Sequence, residues 1–205
     1  ADEAVVLAMQ PWKEVIDETG SVVVGRTMVD LTKSDCSDQE CNLGNFFCDA
    51  MVHSFTGLTP FDQTAWTNVS IGLAATGGMR VPLSRGNLTY AHLVSMSPFT
   101  NLLIAFNLPG SKIVEALEYA VSKIDLDNGV SSSYIMLQVA GLKVSYDYTK
   151  PINSRVISVQ VRCADCPVPL YEPLVNTKIY RLVTPDFLHG GGDGFTMFTE
   201  GTDVQ

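Results

Sequence analysis

Positive charge is scarce in this sequence: 13 Lys and Arg stand against 22 Asp and Glu, giving a net charge of −9 over 205 residues. Nucleic-acid backbone binding needs a basic face, so DNA and RNA are excluded as partners. Histidine is scarcer still. His53, His92 and His189 lie far apart and form no HxH or DxH pair. Metal-assisted phosphate-ester hydrolysis needs Asp, His and Asn ligands clustered around its cations, and no such cluster is legible, so no metal site is assigned to this chain. A GxxxxGK[ST] loop is absent, which excludes a P-loop protein. A GxSxG elbow is absent too, and no nucleophile has an adjacent base. No apolar run reaches the roughly 18 residues of a membrane span. The apolar patch Ala4–Met9 has neither the length nor the basic flank of a signal peptide. The residues present offer means to bind a ligand and no evident means to cut one, so no catalytic residue is assigned.

Hydrophobic residues make up 46% of the chain, enough for the core of one domain with at most a small appendage. Neither end carries an obvious tag or cap, so a piece of a longer polypeptide is expected. Helical spacing of Val5, Val6, Met9, Trp12 and Ile16 predicts a helix over residues 3–17, with Pro11 placed awkwardly inside it. Ser21–Leu31 reads as a strand with a bulge at Gly25, and Ser34–Glu40 as an acidic loop. Asn42–Phe55 reads as a helix burying Leu43, Phe46, Phe47, Ala50, Met51 and Phe55, with His53 on its surface. Gly57–Gln63 is turn-rich, and Val69–Ala75 is a buried strand. Thr89–Met96 and Ser111–Ile124 are further helices, the second with Ser111 as N-cap, and Leu102–Leu108 is a strand between them. Leu142, Val144, Tyr146 and Tyr148 alternate, as do Ile157, Val159 and Val161, which predicts paired antiparallel strands. Lys178–Pro185 is the last strand. The order is α+β: a mixed sheet with flanking helices.

Polar and aromatic groups gather at strand ends. Phe187-Leu-His-Gly-Gly-Gly-Asp-Gly-Phe195 leaves a backbone nearly bare of side chains, which lets a flat ligand approach the main chain. Phe187 supplies a stacking face, and Asp193 two acceptor oxygens for the hydroxyls of a ribose. A second stretch, Thr76-Gly77-Gly78-Met79-Arg80, places a cation just beyond a strand end. Ser97-Pro98-Phe99-Thr100-Asn101 adds a second ring and an amide suited to a base edge. Such a set suits a purine nucleoside carrying a phosphate. The five cysteines, 36, 41, 48, 163 and 166, allow two local disulfides or a zinc site with poor spacing. The sequons Asn68-Val-Ser70 and Asn87-Leu-Thr89 make Asn68 and Asn87 candidate glycosylation sites on a secretory route.

Glu40-Cys-Asn-Leu-Gly-Asn45 with Cys48-Asp-Ala-Met51, Gly77-Gly-Met-Arg80, Ser97-Pro-Phe99, Leu137-Gln-Val-Ala-Gly141 and Asp186–Phe195 resemble the C-terminal domain of the 5'-nucleotidase family. That family includes animal ecto-5'-nucleotidases, blood-feeder salivary apyrases and bacterial periplasmic nucleotidases. The resemblance implies that residues 1–18 are a linker helix following a missing N-terminal metallophosphoesterase domain with a divalent metal pair, zinc or similar. Residues 19–205 are then the nucleotide-binding domain of a secreted protein, with no cofactor of its own and an AMP- or adenosine-like ligand. By the same resemblance, Phe99 and Phe187 are the aromatic clamp, Asp193 the ribose carboxylate and Arg80 a phosphate-side arginine. Asn101 is similar to an amide of bacterial members, and Gly77 and Gly78 belong to the glycine turn. Cys36–Cys41 and Cys163–Cys166 match family disulfides. Two departures stand out: Ser37 replaces an arginine of active members, and Ala75 replaces an asparagine. Cys48 matches a cysteine whose partner position is here Gly72. These losses leave room for an alternative, a non-enzymatic secreted paralogue, for example salivary, that binds a protein or small ligand.

Overall fold

The computed structural model describes residues 2–56 and 65–205. Among these residues, nine strands and five α-helices run in the order α1 Glu3–Gly20, β1 Val23–Thr27, α2 Asn42–Thr56, β2 Ile71–Ala75, β3 Gly86–Thr89 and α3 Tyr90–Met96. Then follow β4 Leu103–Pro109, α4 Gly110–Ala120, β5 Leu137–Ala140, β6 Leu142–Tyr146, β7 Val156–Arg162, β8 Tyr171–Pro173, β9 Ile179–Pro185 and α5 Asp186–His189. The turn-rich segment expected over residues 57–63 lies outside the described residues.

The central sheet has the order β4-β9-β2-β5, with β2 parallel to β9 and the other pairs antiparallel. Every residue of β2 is buried, which is why it reads as a continuous apolar run rather than an alternating one. The two faces differ in size. Ile71, Leu73 and Ala75 face the large cluster that includes Phe106, Leu117 and Phe198 beside α4. Ala74, Ala105, Ala140 and Val183 face α2, whose Cys48, Met51, Val52 and Phe55 complete that side. Small residues here let the helix come close: a Cβ on Gly72 would lie 2.8 Å from the Cys48 carbonyl oxygen. The other sheets are a ribbon of β1 with β3 and an antiparallel β6-β7-β8.

The paired strands are observed as β6 and β7, with Leu142 opposite Val161 and Val144 opposite Val159. A register shift between Ser145 and Tyr146 brings Val156, not Ile157, opposite Tyr146 and leaves Ile157 on the surface. Four further expectations are corrected. The first strand is confined to Val23–Thr27, although the bulge expected at Gly25 is present as a register shift between Val23 and Gly25. Phe46 and Ala50 are exposed, because α2 turns the stripe of Leu43, Gly44, Cys48, Met51, Val52 and Phe55 inward instead. Ser111 is not the cap of α4, since Pro109 precedes the helix and the Ser111 N–H donates to the Asn176 carbonyl. Finally, α4 stops at Ala120 rather than Ile124. The Arg155 guanidinium takes the carbonyls of Val121 and Ile124, at 2.6 Å each.

A single buried amide joins the acidic loop to the sheet. Gln138 is fully buried; its Oε1 accepts from the Cys41 N–H at 2.9 Å, and its Nε2 donates to the Cys36 and Gln39 carbonyls at 2.8 Å each. Gly44 leaves the space for it, because a Cβ there would lie 2.6 Å from the Gln138 amide carbon. Gln138→Ala strands the Cys41 N–H and the Gln39 carbonyl, while the Cys36 carbonyl keeps the Thr76 hydroxyl, so unfolding free energy should fall by about 3 kcal/mol in a denaturant titration. An unchanged midpoint would show that the amide carries no net stability.

Candidate functional site

Sheet order decides where the polar loops meet. β2 and β9 run parallel, so Ala75 and Pro185 end on the same side. β4 runs against β9 with Leu103 opposite Pro185, so β4 begins where β9 finishes. Three segments therefore converge on one edge: the turn Thr76–Gly78 after β2, residues 97–101 before β4, and α5 with its glycine loop after β9. They enclose a cavity of about 700 Å³.

All seven ligand-binding candidates line this cavity: Phe99, Phe187, Asp193, Arg80, Asn101, Gly77 and Gly78. Phe99 and Phe187 are each 51% exposed, an unusual state for two phenylalanines flanking one concavity. The far wall is apolar, built from Phe47, Ala50, Met51, Ala74 and Leu103. Sequence reasoning assigned Phe47, Ala50 and Met51 to the helix core alone. It missed Tyr134 altogether, which enters from the irregular stretch before β5 and carries no motif.

The glycine loop is shaped by its backbone. Gly191 and Gly194 have φ of 86° and 91°, and Asp193, between them, is left-handed at φ 54°. That conformation is costly for a side-chain-bearing residue and needs support from its surroundings. Support comes from Tyr119 of α4, whose hydroxyl donates to the Asp193 carbonyl at 2.9 Å. Gly192 packs against Phe187, and an added Cβ would sit 2.6 Å from two ring carbons. The Asp193 carboxylate lies beside Gly77, with Oδ2 3.8 Å from where a Cβ of that glycine would be. Across the mouth, the Arg80 side chain is exposed and its Nη1 donates to the Gly77 carbonyl at 3.2 Å. Its backbone N–H is anchored on the Met96 carbonyl at 2.7 Å.

Cys36–Cys41 and Cys163–Cys166 are disulfide-bonded, and neither pair is a metal knuckle. Cys48 is a free, buried thiol whose Sγ donates to the Gln138 carbonyl, and burial followed by the Asp49 charge pushes its pKa far up. Of the histidines, His53 is exposed, His92 closes a capping box with Thr89 at the start of α3, and His189 packs edge-on against Phe106. None lines the cavity. Asn68 and Asn87 are both exposed, while Ser70 of the first sequon is buried. Among the described residues no three His, Cys, Asp or Glu side chains are grouped to hold a metal ion.

The family model for the 5'-nucleotidase C-terminal domain matches residues 23–200. The chain belongs to that family. As a 5'-nucleotidase C-terminal domain, it is 41% identical over 197 residues to the apyrase of Tabanus yao, covering 96% of this chain and 35% of that protein. To the 5'-nucleotidase of Diplobatis ommata it is 35% identical over 201 residues, covering 96% and 34% respectively. Among solved structures, the 5'-nucleotidase precursor of Thermus thermophilus superposes with a TM-score of 0.78 at 30% identity, over 99% of this chain and 36% of that one. The chain thus spans about a third of the length of the relatives it matches.

Tyr119→Phe removes the hydroxyl that the structure places on the Asp193 carbonyl. Hydrogen exchange at residues 190–195 should quicken, corresponding to about 1 kcal/mol of lost local stability. Unchanged protection would show that the loop holds its conformation without that bond. Separately, native protein should resist thiol alkylation and take up one label per chain after unfolding; labelling at Cys48 in the native state would contradict its burial.

Proposed function

We propose that this domain holds the base and ribose of a purine nucleotide, as the substrate-recognition part of a secreted 5'-nucleotidase- or apyrase-like phosphohydrolase. The observation that carries the reading is the convergence of Phe99, Phe187 and Asp193 on one cavity. A purine fits between exposed rings, where stacking is worth roughly 1–3 kcal/mol per base. Asp193 accepts from the ribose hydroxyls, and its carboxylate stands on a loop braced by the Tyr119 hydroxyl. Asn101 meets the base edge. Arg80 stands at the mouth, where the phosphate leaves the cavity toward solvent.

Hydrolysis is assigned to a separate metallophosphoesterase domain carrying a divalent metal pair, because the described residues of this chain do not fit such a centre. The two disulfides and the exposed sequon asparagines support a secretory route. Within this chain the work is recognition: stacking orients the base, the carboxylate fixes the sugar, and the phosphate end is left presented.

Calorimetric titration with adenosine and AMP tests this directly. Binding of both is expected, and heat from neither would remove the nucleotide reading in favour of a binder of another class. Asp193→Ala should cut adenosine affinity by roughly tenfold or more, the loss of about 1.5–3 kcal/mol from hydrogen bonds to a charged group, while sparing adenine. Undiminished adenosine affinity in that variant would refute the role of Asp193.

A further inference from the structure

The acidic loop 34–40 plays no part in the cavity just described, yet it is held more firmly than a solvated surface loop requires. Four successive carbonyls are each taken from across the chain. Cys36 and Gln39 accept from Gln138 Nε2 at 2.8 Å each, Ser37 from the Ser133 N–H at 2.6 Å, and Asp38 from the Tyr148 hydroxyl at 2.6 Å. The Cys36–Cys41 disulfide closes the loop. With its carbonyls turned inward, the loop presents Asp38 and Glu40 at a second cavity of about 410 Å³, which shares no lining residue with the first.

The wall beside these acids is aromatic. Tyr146 and Tyr148 stack with ring centroids 6.0 Å apart and planes 24° from parallel. Met136 and Val144 add to an apolar floor. Among the described residues no lysine or arginine lines the space. Arg155, a cation near Tyr148, directs its guanidinium to the carbonyls of Val121, Ile124 and Lys150. Lys143 lies over the Tyr171 ring instead. The Tyr146 hydroxyl is sequestered without a hydrogen-bond partner among the described residues. Burial first, then the neighbouring Tyr148, Glu118 and Glu40, push its pKa far up.

We propose that this second cavity is a binding site for an organic cation: an ammonium group on a flat or apolar body. Two independent attractions select such a ligand. The aromatic rings offer their negative faces to a cation, and the carboxylates of Asp38 and Glu40 offer charge at the rim. The apolar floor accommodates the body. An anionic nucleotide is repelled by the same groups, so the two cavities take ligands of opposite charge.

The test uses the domain as it stands, with 2-phenylethylamine as the cationic probe and neutral 2-phenylethanol as its counterpart, in NMR titrations following the tyrosine rings. The amine should bind at least roughly tenfold more tightly than the alcohol and shift the resonances of Tyr146 and Tyr148. Asp38→Asn with Glu40→Gln should erase that preference, and Glu40→Gln alone should reduce it if the double variant folds poorly. Asp193→Ala should leave amine binding unchanged, which separates this site from the nucleotide cavity. Equal affinity for amine and alcohol, no binding of either, or a preference that survives loss of both carboxylates would each overturn the proposal and leave a solvent-filled groove.

Discussion

Everything at the candidate site depends on the parallel pairing of β2 with β9 in the middle of the central sheet. Because the two strands point the same way, the segments that leave them emerge side by side, and antiparallel β4 delivers a third segment to the same edge. The pairing is buried on both faces, under α2 on one side and beside α4 on the other. Binding groups on loops are therefore carried by a rigid scaffold, and a loop keeps unusual backbone only when it is so supported. The left-handed Asp193, braced by Tyr119 from α4, shows the coupling: a core helix reaches out to fix a residue at the cavity.

Polar groups in the interior do comparable work at the start of β5. Gln138 sits in a strand that is otherwise apolar, and its amide is fully used by the loop from Cys36 to Cys41. Thr76, at the start of the glycine turn, places its buried hydroxyl 2.9 Å from the Met136 carbonyl and 2.5 Å from that of Cys36. The turn that lines the first cavity and the acidic loop that lines the second are thus tied to one short segment, Met136–Gln138. A buried polar group with every partner in place rigidifies what it joins.

Much of this was legible in the sequence because each signal had a local physical origin. The β2 run, the β6 and β7 alternation and the bare backbone of residues 190–194 each follow from burial or sterics within a few residues. Phe99, Phe187, Asp193 and Arg80 stood out because they adjoin glycine or proline turns. What was not legible depended on the tertiary partner. Ser111 lost its cap role because residues 176–178 supply carbonyls to the helix start, and α4 ends early because Arg155 arrives from the distant β7 edge. Tyr134 had no motif, and Phe46 and Ala50 fitted an apolar stripe that α2 does not turn inward. The second cavity was invisible for the same reason: nothing local brings the acidic loop against Tyr146 and Tyr148.

The two rings, the carboxylate and the arginine line one cavity, and that geometry sets what they can do together. In the proposed function a purine base lies between Phe99 and Phe187 with its ribose at Asp193. Intermolecular nuclear Overhauser effects from bound adenosine measure this most directly. Contacts are expected from the base protons to both phenylalanine rings and from the ribose protons to the Asp193 β-protons. Contacts to only one ring, or to residues outside this cavity, would contradict it.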